Sequence, residues 1–323
     1  MKKILKIVIG FFLFVSLLGV VAGFYVSFFL PDIPVKNLKI ELTKERIERG
    51  KYLANCVLVC VDCHSTRDWS RFSGPIVPGT EGNGGEIFDQ KMGLPGTYIA
   101  TNITPYGLAN WSDGEIYRAI TSGVGKRNNV IFPIMPYASY GNLDEEDIFS
   151  VIAYLRSIPS VKQENAISKS DFPVNIIVHT MAIQGHPSKK PAPSDSLKYG
   201  EYLTKAAACL DCHTPFEGGK LLLDKAYAGG RAFPSKEGGV VISPNISFDK
   251  KTGIGNWNQE TFVATFKYFD LPNNETRKIA KGHLNSPMPW TMYAKMETND
   301  LRAIFNYLKS LAPIENSVAK TEW

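Results

Sequence analysis

The longest unbroken run of apolar positions comes first. After Met1-Lys2-Lys3-Ile4-Leu5-Lys6 no charge appears from Ile7 to Leu30. As a helix those 24 residues would be about 36 Å long, against a hydrocarbon layer of about 30 Å. The run therefore predicts a membrane-crossing anchor over 1–30. A secretory signal has a shorter apolar core and a small-residue cleavage site, whereas this run closes on Phe24, Tyr25, Phe28, Phe29, Leu30 and Pro31. The three early lysines stay on the inner side, which puts the rest of the chain on the outer, periplasmic face. Pro31 and Pro34 predict a short extended tether over 31–42.

Beyond it, short helical periods alternate with long polar stretches. Thr43 is placed to cap a helix whose third residue is Arg46 and whose body runs through Arg49, Gly50, Tyr52 and Leu53. From Ser73 to Gly96 the chain is rich in Gly and Pro without a sustained period, which predicts a loop. Gly82-Asn83-Gly84-Gly85 lacks the flanking strand and helix of a phosphate cradle. Ser112–Ser122 predicts a helix with a capping box from Ser112 and Glu115. Another begins near Leu143, with Asp144, Glu145 and Glu146 at its positive end. It carries Ile148, Val151, Ile152 and Leu155 at helical spacing and stops before Pro159. The Pro-rich stretch 161–196 predicts a connector, in which Phe172–Ile183 is apolar enough to pack on a neighbouring domain.

The second half repeats the first in order. Gly50-Lys51-Tyr52-Leu53 returns as Gly200-Glu201-Tyr202-Leu203, and Asn102-Ile103-Thr104 as Asn245-Ile246-Ser247. Asn110-Trp111-Ser112 returns as Asn256-Trp257-Asn258, Met135-Pro136-Tyr137 as Met288-Pro289-Trp290, and Tyr154-Leu155 as Tyr307-Leu308. Offsets of 143 to 153 residues drift only by loop-sized insertions, and two domain-sized copies make a duplication, not a solenoid. Each glycine is predicted to sit where its helix crosses the last helix of its own copy.

Composition changes this picture little. The net charge is +5, with 14 Lys+Arg against 16 Asp+Glu over 31–166 and no basic tract interleaved with aromatics, so nucleic-acid binding has no support.

The chemistry lies in Cys60-Val61-Asp62-Cys63-His64 and its echo, Cys209-Leu210-Asp211-Cys212-His213. Cysteines at i and i+3 of a helical turn lie side by side, and a histidine at i+4 shares their face. Such thiols form thioethers with the two vinyl groups of one haem while the histidine binds iron, which is the c-type attachment pattern. A redox Cys-x-x-Cys pair or half of a zinc site is the alternative for one copy; two copies in a repeat predict two covalently bound haem c groups. Cys56 is left alone, and a buried apolar role is expected for it.

His64 and His213 are the expected proximal ligands. The repeat nominates Met135 and Met288 for the distal positions, because prolines flank both and push the backbone out of helix. Met92 competes in the first half, and His283, Met292 and Met296 in the second. His179 and His186 fall in the connector and read as structural. Trp111, Trp257, Asn102 and Asn245 either line the haem edges or pack. A His/Met pair closes both axial positions and raises the potential, which suits electron transfer.

These motifs, with Thr101-Asn102-Ile103-Thr104-Pro105, Trp111-Ser112-Asp113-Gly114-Glu115 and Met135-Pro136-Tyr137, give the chain its resemblance to a family. It resembles membrane-bound multihaem cytochromes c, among them the cytochrome subunits of bacterial alcohol, aldehyde and gluconate dehydrogenases. The likeness covers most of 43–312, although those subunits commonly carry three haem motifs. It implies acceptance of electrons from a dehydrogenase subunit and delivery to quinone or a terminal oxidase.

The expected fold is all-α: two tandem cytochrome c domains, 43–160 and 197–315, with short helices and long loops around haem. A connector over 161–196 joins them, an amino-terminal transmembrane helix precedes them, and a tail over 316–323 follows. The expected function is electron transfer on the outer face of the inner (cytoplasmic) membrane, with a dehydrogenase, oxidase or soluble cytochrome as redox partner. A dihaem peroxidase or a thiosulfate-type dehydrogenase is the enzymatic alternative; the latter would need a distal cysteine.

Overall fold

The computed structural model describes residues 2–235, 238–272 and 276–319; the last four positions of the expected tail, 320–323, lie outside the described residues. Helix accounts for 41% and strand for 8%. The chain opens with α1 (Lys2–Phe29), an apolar helix exposed along nearly all its length. Then come α2 (Lys44–Tyr52), α3 (Cys60–Cys63), α4 (Asp113–Ser122), α5 (Tyr137–Tyr140) and α6 (Glu145–Ser157). The short α7 (Val174–Ile177) lies in the expected connector. The second half supplies α8 (Ser196–Ala206), α9 (Cys209–His213), α10 (Gln259–Lys267), α11 (Trp290–Tyr293) and α12 (Thr298–Ser310).

The predicted caps form. The Thr43 side chain accepts from Arg46 N, and Ser112 and Glu115 complete their capping box at the start of α4. Asp144 caps α6, whose apolar stripe of Ile148, Val151, Ile152 and Leu155 is fully buried.

Two glycines decide the packing. α2 crosses α6, and α8 crosses α12, with the backbones in contact. A Cβ on Gly50 would stand 1.8 Å from the Ser150 carbonyl oxygen and 2.8 Å from Tyr154 Cβ; one on Gly200 would stand 2.0 Å from the Ala303 oxygen and 2.9 Å from Tyr307 Cβ. Only a residue without a Cβ permits either crossing.

The copies differ by one residue between this glycine and the first motif cysteine, ten positions against nine. The first half absorbs the extra residue in a π-turn, Leu53–Val57, closed by Leu58 N donating to Leu53 O at 2.8 Å. That keeps both the crossing and the motif in register. Cys56 lies within the turn and is buried, and burial pushes its thiol up to about 11.

The halves share one hydrophobic core and clasp each other reciprocally. Tyr52 Oη donates to Asp300 Oδ2 at 2.6 Å, and Tyr202 Oη donates to Asp147 Oδ2 at 2.8 Å. The same tyrosines accept from Glu297 N and Asp144 N. The repeated Gly-x-Tyr-Leu thus has two duties: its glycine admits the partner helix of its own half, and its tyrosine reaches the other half.

Two expectations need correction, and the tether gains a detail. The fold is not purely helical: β1 (Ile87–Phe88), β2 (Gly96–Ile99) and β3 (Lys169–Ser170) form an antiparallel sheet. Two further hairpins pair β4 (Phe216–Glu217) with β5 (Lys220–Leu221) and β6 (Ala232–Pro234) with β7 (Val240–Ile242). Two- to four-residue strands inside Gly/Pro-rich loops carry no readable period, which is why 73–96 looked structureless. The tether is extended but pinned. Pro31 O accepts from Asn128 Nδ2, Ile33 O from Arg118 Nη1, and Ile40 N donates to Asp113 Oδ2 at 2.8 Å. Last, Phe172–Ile183 does not pack as an apolar block. Val178 is buried, but Phe172 is 81% exposed and Ile177 46%.

Candidate functional site

Each Cys-x-x-Cys-His sequence folds as one short helical turn, α3 or α9, entered through a left-handed residue: Val59 at φ 49° and Ala208 at φ 50°. Both are non-glycine residues in a region that disfavours a Cβ, and the β-branched Val59 bears the larger strain. The left-handed residue ends the preceding helix and starts the motif on a new axis, so Cys56 and Cys60, although four positions apart, do not share one helical face.

The histidines are oriented alike. His64 Nδ1 lies 2.7 Å from Thr101 O, and His213 Nδ1 lies 3.0 Å from Pro244 O. A ring that donates Nδ1–H to a carbonyl has its lone pair on Nε2, the arrangement of a metal-ligating histidine. No described residue bonds either Nε2. Burial lowers both imidazoles below their ordinary value, so they stay neutral.

The four motif cysteines are unbridged. Desolvation lifts Cys60, Cys63 and Cys209 to about 12, and Cys212 to about 11 although it is the most open of the four. A reactive redox pair needs a depressed thiol. Structural zinc needs four convergent donors, and among the described residues no three His, Cys, Asp or Glu side chains converge on a point. The donor set left is two neutral thiols on one turn with an oriented imidazole, which fits covalent haem.

The candidate methionines occupy matched turns. Tyr137 N donates to Met135 O, and Trp290 N to Met288 O, across Pro136 (φ −80°, ψ 49°) and Pro289 (φ −79°, ψ 65°). Both are inverse γ-turns, and both methionines are half-buried. Of their competitors, Met292 and Met296 are core residues at 3% and 1% exposure, His283 is exposed, and Met92 lies in a 3₁₀ turn between β1 and β2. His179 bonds Leu30 O through Nδ1, and His186 is exposed.

Two tyrosines missed by the sequence reading bring these pieces together. Tyr140, five positions after Met135, donates to Leu58 O at 2.7 Å; Tyr293, five after Met288, donates to Ala207 O at 2.7 Å. Each carbonyl lies two residues before the first motif cysteine, so each hydroxyl ties a Met-Pro turn to its own motif. Their shared offset of 153, the same as that of the methionines, was the available signal. Both rings lie between the motifs. Tyr140 feels Cys60 and Cys63 of one and Asp211 and Cys212 of the other, while Tyr293 feels Cys209, Cys212 and Asp62. Burial, the leading cause, pushes both phenols well above their ordinary value. Ser139 Oγ donates to Asp211 Oδ2 at 3.1 Å, a direct bond from the first half to the second motif. Tyr140→Phe leaves a buried carbonyl without its donor and is expected to lower stability by about 1–2 kcal/mol, read as a shift in the urea midpoint.

Asn102 and Asn245 prove structural. Asn102 Nδ2 donates to Val161 O and Gln163 O while Oδ1 accepts from Thr104; Asn245 Nδ2 donates to Ile314 O and Thr252 Oγ1 while Oδ1 accepts from Ser247 N. Each amide holds the segment after its half's last helix and has no spare donor for a propionate. Trp111 packs against the core and Trp257 is 37% exposed.

No family model matches the chain. Over 290 residues it is 29% identical to the cytochrome c subunit of a quinone-dependent alcohol dehydrogenase from Gluconacetobacter polyoxogenes, covering 84% of this chain and 57% of that protein. Over 304 residues it is 27% identical to the gluconate 2-dehydrogenase cytochrome c subunit of Pantoea cypripedii, covering 86% and 64%. A diheme cytochrome c-type protein of Cereibacter sphaeroides is 27% identical over 269 residues, covering 79% and 83%. The chain thus spans little more than half the length of the alcohol dehydrogenase subunit. Its likeness is to cytochrome c subunits of dehydrogenases, and that likeness supports an electron-transfer role.

Proposed function

We propose that this chain is a dihaem c-type cytochrome that carries electrons on the outer face of the cytoplasmic membrane. Its donor is a dehydrogenase subunit or respiratory complex, and its acceptor lies downstream in the respiratory chain. In this reading 43–160 and 197–315 are tandem cytochrome c domains joined by 161–196. Cys60 and Cys63 hold one haem and Cys209 and Cys212 the other. His64 and Met135 would hold one iron, and His213 and Met288 the other.

The observation that carries the proposal is the matched pair of imidazoles, each bonded through Nδ1 to a backbone carbonyl and open at Nε2. When bound, haem c supplies reversible one-electron chemistry. The protein supplies orientation and a dry setting. The carbonyls of Thr101 and Pro244 fix the ring planes and raise their basicity, the proline-bracketed turns stiffen the thioether segments, and the Tyr140 and Tyr293 hydroxyls keep turn and motif together. The shared core between the halves supports haems close enough to exchange electrons rapidly. Anchorage through α1 is supported by its last turns, which lie against α7 and the following 3₁₀ turn, Val178–Thr180, with Leu30 O held by His179. A signal sequence awaiting removal has no use for such a seat.

The full-length protein is expected to weigh two haems more than its amino acids and to show the sharp red-region band on dithionite reduction. Carbon monoxide should leave the reduced wild type unchanged, whereas Met288→Ala should yield one carbonyl adduct per chain. An adduct in the wild type would reject the closed His/Met pair and favour the enzymatic alternative.

A further inference from the structure

The end of α1 joins the body along a narrow stripe, with exposed apolar side chains on either side. Along the last turns of α1, Gly23, Val26, Ser27 and Leu30 are half-buried, while Phe24, Tyr25, Phe28 and Phe29 between them stay exposed. That i, i+3, i+4, i+7 stripe is the face covered by α7 and the 3₁₀ turn Val178–Thr180. His179 Nδ1 to Leu30 O at 3.0 Å locks the join. On this small support stand Phe172 at 81% exposure and Ile177 at 46%, in a segment whose Val178 alone is buried.

The depth of this patch follows from α1. Its 28 residues make a rod of about 42 Å, longer than the hydrocarbon core of about 30 Å. Lys6 is the last charge of the helix and belongs at one boundary. Twenty residues on, Ile7 to Val26 span about 30 Å and bring Val26 to the other boundary. Val26 is in the middle of the stripe that α7 covers. With α1 spanning the bilayer, α7 and the residues around it then fall at about the level of the lipid headgroups.

We propose that Phe172–Thr180 is a second membrane contact, with Phe172 and Ile177 seated in the headgroup–acyl boundary of a phospholipid bilayer. Aromatic and branched side chains on a helical turn beside a spanning helix suit that boundary. A single helix leaves a body free to swivel; a second contact, with the tether pinned at Pro31, Ile33 and Ile40, sets its tilt. The body then presents one fixed face to any partner embedded in or docked on the same membrane. The proposal rests on the reading of α1 as an anchor.

The test uses the full haem-loaded chain in phospholipid nanodiscs, with an environment-sensitive fluorophore on one introduced cysteine. Phe172→Cys reports the patch, Val15→Cys the middle of α1, and Leu223→Cys, 65% exposed in the second half, the solvent. The unsubstituted chain, whose Cys56 is buried, is the labelling blank. Lipids carrying a spin-label quencher near the headgroup should remove at least half of the emission at 172 and leave 223 unchanged. A mid-bilayer quencher should act on 15. Emission at 172 that matches 223, with 15 quenched, would overturn the second contact and leave the anchor standing; loss of quenching at 15 as well would remove both.

Discussion

Asp147→Ala is expected to lower stability by about 3 kcal/mol, because it strips the partner from charges held at the junction of the halves. Asp147 is 2% exposed and receives both arms of the Arg49 guanidinium, at 3.0 and 2.8 Å, the Tyr202 hydroxyl and Lys190 Nζ at 3.2 Å. Removing it leaves a half-buried arginine facing an apolar methyl group and leaves the Tyr202 hydroxyl with only its bond from Asp144 N across the junction. The effect has a pH signature. Burial pushes the Asp147 carboxyl up, but the Arg49 hydrogen bond and charge, with Lys190 and Tyr202, outweigh it and hold the group below its ordinary value. A carboxyl depressed in the folded state stabilises above its unfolded value, near 4, and loses that contribution as pH falls through the folded value. Urea unfolding at pH 7 should therefore show the full gap between wild type and Asp147→Ala, and the gap should shrink below about pH 4. An equal gap at both pH values would assign the loss to packing instead.

Gly50→Ala comes next, at about 3 kcal/mol after helix propensity returns up to about 1 kcal/mol. A methyl group 1.8 Å from the Ser150 oxygen meets backbone, not the movable end of a side chain. α2 must back away from α6, and the motif that follows α2 moves with it. Gly200→Ala should match it, since its Cβ would stand 2.0 Å from the Ala303 oxygen. Calorimetry should show each variant melting roughly 5–10 °C below the wild type. A variant with an unchanged melting temperature would mean that the helices do not touch at the glycine.

Much of the chemistry was legible before the fold. Cysteines and histidine at i, i+3 and i+4 need only a single helical turn to share a face, and both motifs form that turn. The capping residues Thr43, Ser112 and Asp144 act on amides two or three positions away, so their roles also read directly. The repeat pointed to Gly50 and Gly200 because duplicated glycines mark a recurring close approach. The connector misled because apolar content reports a wish to leave water, not the surface that satisfies it; in Phe172–Ile183 most of that surface stays exposed.

The sequence by itself determined the paired Cys-x-x-Cys-His turns, the duplication and the long apolar helix, since each is set by neighbours within a turn or by a pattern repeated along the chain. Only the tertiary structure decided how the halves meet. Tyr52 finds Asp300 across 248 positions, Tyr202 finds Asp147 across 55, and Tyr140 and Tyr293 come to stand between the two motifs. It also assigned Asn102 and Asn245 to backbone clamps and seated the end of α1 on α7. The reason is physical: a side chain's local spacing limits what it is able to bind, but its partner is chosen by whichever surfaces the whole chain buries together.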